Sequence, residues 1–215
     1  DLLLAVNDGR EVVPTTAGLL LFGHDDRVAD LIPRAAVGLT RFSGDSLQSP
    51  VVEKTKITGN LITQFEGVLK FISRYCDLHE VRPKSGLSET ESSPVPARAN
   101  YHRGVVKEAL ANMIVQRDMA IRDQASRVHI FDRALEFVNA RRSLGFSPVA
   151  QKAIRYGLPQ TLNPQLAAIF KSAEYGLKLT LRGLPHLLLE AKRFSNRKAE
   201  IVAFNDEFRL RIYGA

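Results

Sequence analysis

At 215 residues, with 45% apolar and 25% charged side chains, the chain is long enough to bury a real core in one large domain or two small ones. Its longest apolar run, Ala17 to Gly23, is far shorter than the ~18 residues a membrane-spanning helix needs, so no membrane partner is expected. The net charge is +7 and the pI about 9.7, with the basic excess in residues 98–215, which points to polyanions such as nucleic acid or nucleotide phosphates as partners.

The chain starts at Asp1 with no leader pattern and reads as part of something longer. "DGREVVPTTAGLLLFG" predicts a turn at Asp8 and Gly9, a short strand, and a helix entered through Pro14, Thr15 and Thr16. Arg34 to Phe42 and Val51 to Thr58 read as strands. Asn60 then caps a helix whose Leu61, Phe65, Val68, Leu69 and Ile72 form an apolar face. Cys76 is the only cysteine, so no internal disulfide forms and a reducing cytoplasm is expected. The Pro-, Ser- and Glu-rich run Arg82 to Ala97 reads as a linker, which divides the chain into a small α+β segment, 1–81, and a larger domain, 98–215.

In that domain, Val106, Ala109, Leu110, Met113 and Ile114 recur at helical spacing and mark a buried face. Arg127 to Asn139 predicts two short strands around a turn at Asp132 and Arg133. "NPQLAAIF" and "LPHLLLEAKR" predict helices, and Ala199 to Tyr213 predicts a hairpin turning at Asn205 and Asp206. Four strands and three helices give an α+β fold with a two-layer α/β sandwich in 98–215.

Glu108 and Asn112, four residues apart, share one helical stripe at the edge of the apolar face. A carboxylate beside an amide there can orient water or offer oxygen to Mg²⁺; the simpler reading is a surface hydrogen bond worth about 0.2–0.5 kcal/mol. The start of "LRGLPHLLLEAKR" combines Arg182, Gly183 and the free amides of a Pro-initiated helix, a place where phosphate binds, or a plain helix start. Cys76 and His79 make half a zinc pair without a second half. No nucleophile elbow, Walker loop or Rossmann glycine run supports a hydrolase, kinase or dehydrogenase.

Taken in order, "PTTAGLLLFG", "RAAVGLTRFSG", "YHRGVVKEALANMIVQRDMAIRD", "VHIFDRALEFVN", "LNPQLAAIF" and "RGLPHLLLEAKR" resemble the C-terminal region of bacterial and archaeal transcriptional regulators. That family joins an N-terminal Alba-like, Schlafen-type DNA-binding domain to a divergent GHKL-type ATPase module, often labelled as related to the RecG helicase. The resemblance implies a Bergerat-type mixed sheet with three helices on one face, DNA contact through a preceding Alba-like domain, and ATP with Mg²⁺ as cofactors, with a homodimer as one possible assembly. It implies Glu108 as the water-activating catalytic acid and Asn112 as the Mg²⁺-binding amide. It places Asn139 at the first nucleotide loop, and Gly183 with the adjacent Arg182 at the lid-side loop.

The family's Asn-Pro-Gly-Gly is replaced here by Asn139, Ala140, Arg141 and Arg142, and its later Gly-Thr-Gly by Leu181, Arg182 and Gly183. Glycine permits positive φ and close approach of backbone to a ligand, whereas arginine does neither. Two readings follow: a degenerate ATP-binding module, or a pseudo-ATPase retained as a dimerisation or regulatory platform with Arg141, Arg142 and Arg182 filling the pocket. A third is direct binding of nucleic-acid phosphates by the basic half.

Overall fold

The computed structural model describes residues 4–7, 9, 11–83, 98–119, 121, 124–140, 162–180, 183–203 and 207–215. A short hairpin, β1 (Ala5–Asn7) and β2 (Val12–Pro14), leads into helix α1 (Thr16–Phe22), whose first turn is capped by the Thr15 hydroxyl accepting from Gly18 N at 3.2 Å. Helix α2 (Asp25–Leu31) and a 3-10 turn (Pro33–Ala35) follow, then strands β3 (Val37–Phe42) and β4 (Val51–Ile57). Asn60 caps α3 (Leu61–Tyr75), its side-chain oxygen accepting from Thr63 N at 3.1 Å. The short parallel pair β5 (Asp77–His79) and β6 (Asn100–His102) precedes α4 (Arg103–Val115). The rest of the described chain forms β7 (Ser126–Ile130), β8 (Ala134–Ala140), α5 (Pro164–Phe170), a second 3-10 turn (Ala173–Tyr175), α6 (Leu184–Ser195), β9 (Glu200–Ala203) and β10 (Glu207–Tyr213).

Six strands make one mixed sheet in the order β4-β3-β7-β8-β10-β9, antiparallel throughout except for the parallel β3/β7 pair. Because side chains alternate along a strand, Val37, Leu39, Val128, Ile130, Leu135, Phe137, Leu210 and Ile212 all project to one face and are buried. Helices α3, α4 and α6 lie side by side on that face, against β3/β4, β8 and β10 respectively. The fold is α+β, as the sequence predicts. The helix layer differs in one member: α3, from upstream of residue 82, is in it, whereas α5 packs on α1 and α4. α3 is long enough, at 15 residues, to cover the β3/β4 hairpin, and α5, at 7, is not.

The parallel β3/β7 pairing has a second consequence. It joins residues on either side of the expected linker into one sheet, and one apolar core runs from Leu20 to Ile212. Residues 1–81 and 98–215 therefore share a core instead of packing as separate units; of the linker itself, 84–97 lie outside the described residues. α4 sits at the centre of this arrangement. Its Val105, Val106, Ala109, Leu110, Ala111, Met113, Ile114 and Val115 are all buried, an almost all-round apolar surface that only a helix covered on several sides shows.

Candidate functional site

Glu108 is fully buried on α4, with its side chain 1% exposed. Lys171, at the end of α5, and Gly183, at the start of α6, both reach its carboxylate. Lys107, beside Glu108 in sequence, reaches across and donates from Nζ to the carbonyls of Leu177 at 2.6 Å and Lys178 at 3.3 Å, tying that backbone down where Lys178 takes a positive φ of 48°. Burial pulls the Lys107 ammonium below its ordinary value.

Three donors converge on one carboxylate oxygen of Glu108. Lys171 Nζ donates to Oε1 at 2.8 Å, Gly183 N at 3.0 Å and Asn112 Nδ2 at 3.3 Å. Lys171 also donates to Asn112 Oδ1 at 2.7 Å, so its ammonium bridges the acid and the amide. The other oxygen, Oε2, is buried and has no hydrogen-bond partner among the described residues. Gly183 has φ 87°, a conformation that favours glycine, just before Leu184 and Pro185 open α6. The free amide at that helix start is thus directed at an internal carboxylate.

The structure brings Glu108, Asn112 and Gly183 together and adds Lys171. Asn139 belongs to a different cluster. Its Oδ1 accepts from Ser126 Oγ at 2.6 Å and its Nδ2 donates to Met113 O at 2.9 Å, so both ends of the amide are engaged inside the protein. Arg117 closes that cluster: Nε donates to Ser126 Oγ at 2.9 Å, Nη2 to Ala36 O at 3.3 Å and Nη1 to the carbonyls of Arg34 and Ala35. Burial lowers the Arg117 guanidinium to about 10, which leaves it charged at neutral pH. Arg141, Arg142 and Arg182 lie outside the described residues.

Lys171 was not singled out by the sequence. It lies 63 residues from Glu108, and a lysine closing a short helix carries no spacing signal. Its placement decides what the Glu108/Asn112 pair can do. Mg²⁺ takes oxygen ligands at about 2.0–2.1 Å in a near-octahedral shell. Here the oxygens that would face it, Glu108 Oε1 and Asn112 Oδ1, are already bridged by an ammonium, so the residues as arranged do not fit a Mg²⁺–nucleotide. Among the described residues no group of three or more His, Cys, Asp or Glu side chains is placed to hold a metal ion, and no helix is long and apolar enough to cross a membrane.

No protein-family model matches the chain, and no curated protein matches it. The fold is similar to that of the DIP2311 protein from Corynebacterium diphtheriae, known from a crystal structure, with a TM-score of 0.61 and 15% sequence identity. The similarity covers 100% of this chain and 39% of that one, so the chain spans well under half the length of its structural neighbour.

Proposed function

We propose that the chain is the regulatory part of a DNA-associated transcriptional regulator, a GHKL-like module that has become a pseudo-ATPase. In this reading DNA is contacted through an Alba-like domain, the module serves as a dimerisation or regulatory platform, and the internal Lys171 ammonium stands where a nucleotide-bound Mg²⁺ would stand in an active member of that class. The observation that carries the reading is the Lys171 bridge, 2.8 Å to Glu108 Oε1 and 2.7 Å to Asn112 Oδ1. Glu108, buried and held by three donors, then acts as the anchor of Lys171 and Gly183 on α4 and not as a water-activating acid.

The orphan oxygen Glu108 Oε2 favours a second reading, a residual ATP site whose acid keeps one acceptor free. Thermal melting separates the two. A ligand that binds only the folded state raises the melting temperature by an amount set by its concentration over Kd, about 2.7 kcal/mol of added stability at 100 Kd. The pseudo-ATPase predicts an unchanged melting temperature at millimolar ATP with Mg²⁺. A rise that requires both ATP and Mg²⁺, and that disappears in Asn112→Ala, establishes the residual ATP site instead.

A further inference from the structure

The face of the sheet turned away from the helices carries charged side chains beside a small buried apolar cluster of Phe42, Phe131 and Ala134. Register places Thr40, His129, Glu136, Arg211 and Glu200 in one cross-strand row and Gly38, Arg127, Val138 and Arg209 in the next. Lys54 and Lys56 continue these rows on β4, both exposed. Carboxylates are present but shared: Glu207 is paired with both Arg127 and Arg209, and Glu136 bonds His129 at 3.0 Å and lies 4.0 Å from Arg211.

At one end of this face, Arg133, Arg197, Arg211, Tyr213 and Asp45 line a hollow of about 260 Å³. Three guanidiniums meet one carboxylate there, and each is held in place by the protein. Arg133 is fixed by Asp45, with Nε to Oδ2 at 2.7 Å. Arg211 donates to Asp45 O at 2.7 Å and lies over the Phe131 ring at 4.6 Å, and its Nε, though buried, has no acceptor. Arg197 lies 3.7 Å over the Tyr213 ring, and it forms no ion pair among the described residues. Tyr213 is itself anchored, its hydroxyl donating to Glu200 at 2.5 Å.

Guanidiniums orient planar, bidentate donors toward carboxylate and phosphate oxygens, and fixing them in advance lowers the entropy cost of binding. The hollow is smaller than the ~300–1,000 Å³ usual for drug-sized ligands, which suits one small anionic group over a whole organic molecule. Arg209 and Arg211 stand about 7 Å apart on the same side of β10, and Arg127 lies between Arg209 and the exposed Lys56 in one cross-strand row, with Lys54 ending the row of Arg211 beyond Glu136, His129 and Thr40. An extended, repeating anion matches that layout better than an isolated one. We infer that the hollow seats a phosphate of a nucleic-acid backbone laid across the open face of the sheet. The contact is made to backbone phosphate and carries no base readout, and it is independent of the Glu108 site and of the pseudo-ATPase reading.

The test is binding of the 215-residue chain to a fluorescently labelled 20-base-pair DNA of arbitrary sequence, followed by anisotropy over a salt series. Each phosphate neutralised on duplex DNA contributes about −0.9 to the slope of log affinity against log salt. Arg133→Gln with Arg197→Gln is expected to weaken binding about tenfold and to flatten the slope by about 0.9, the share of the one phosphate the hollow seats. The charge-matched control, Lys70→Gln with Lys192→Gln, removes two exposed cations from the helix layer and should leave both nearly unchanged. Absence of DNA binding, or equal losses in the two double variants, overturns the inference. So does a thermal shift with pyrophosphate that depends on Arg197 while DNA fails to bind, which would assign the hollow to a small phosphate ligand.

Discussion

Glu108 illustrates how one buried charge organises its surroundings. With its side chain 1% exposed, the carboxylate needs a partner, and Lys171 supplies it from a position that is 29% exposed. Removing one partner of a buried pair typically costs about 3–5 kcal/mol, because the remaining charge is stranded; the partial exposure of Lys171 places Lys171→Ala at the lower end, about 3 kcal/mol. Neutralising both partners relieves the stranded charge, so Glu108→Gln with Lys171→Met should be more stable than Lys171→Ala alone in chemical denaturation. If the two single losses simply add in the double variant, the pair is not coupled and the bridging role of Lys171 is wrong. Arg117 is a second residue of this kind, a buried cation held by three carbonyls and a hydroxyl, with no ion pair to a carboxylate among the described residues. Arg117→Met leaves those acceptors bare and should cost about 2–4 kcal/mol in the same assay, since each unsatisfied buried group is worth ~1–3 kcal/mol.

At the level of elements, the junction between α2 and α3 shows how caps position larger units. Asp25, in the first turn of α2, accepts from Asn60 N at 2.8 Å through Oδ1 and from the Thr63 hydroxyl at 2.9 Å through Oδ2, while Asn60 Nδ2 donates to Gly23 O at 3.1 Å. Gly59, at φ 103°, is the turn that allows this, and a Cβ there would lie 2.5 Å from Asp25 Oδ1. Asn60→Ala loses the α3 cap and the bond to Gly23 together, so circular dichroism melts should show a destabilisation of about 1–2 kcal/mol; an unchanged melt would mean α3 is held by its apolar face alone. The Asn60 cap, the Asp132/Arg133 turn between β7 and β8, and the Pro-initiated start of α6 were all legible in the sequence because each depends on residues close together in the chain. Elements whose reason is tertiary were not. Helix α2 carries no strong periodicity over 7 residues, and the β5/β6 pair forms between strands of 3 residues that bracket the 82–97 run. The same limit applied at the site. The Glu108/Asn112 pair was visible as an i, i+4 stripe, but Lys171 and the Arg117–Ser126–Asn139 cluster arise from contacts across the fold, with no local pattern to announce them.

For the molecule as a whole, one face of the sheet is apolar and covered by α3, α4 and α6, and the other sets shared charges around a small apolar cluster of Phe42, Phe131 and Ala134. On that second face burial alone would raise the Glu136 carboxyl, yet the His129 hydrogen bond and the charges of His129, Arg209 and Arg211 together hold it below its ordinary 4.5. Glu207 follows the same balance, with desolvation outweighed by hydrogen bonds and charges from Arg209 and Arg127. A carboxyl whose folded value is depressed contributes stability that is present above its unfolded value and lost as pH falls through the folded one. The melting temperature should therefore be steady near neutral pH and fall below about pH 4.5, and Glu136→Gln should make that fall shallower. An acid limb of unchanged steepness in the variant would show that Glu136 carries no share of it.

An internal ammonium stands between Glu108 and Asn112, and we propose that it takes the place of a metal-bound nucleotide. A crystal structure of the protein grown with saturating ATP and Mg²⁺ tests it most directly. The expected result is Lys171 Nζ within hydrogen-bond distance of both Glu108 Oε1 and Asn112 Oδ1, with no metal at that position. Lys171 swung aside, with Mg²⁺ ligated by Asn112 and a triphosphate beside Gly183, would contradict it.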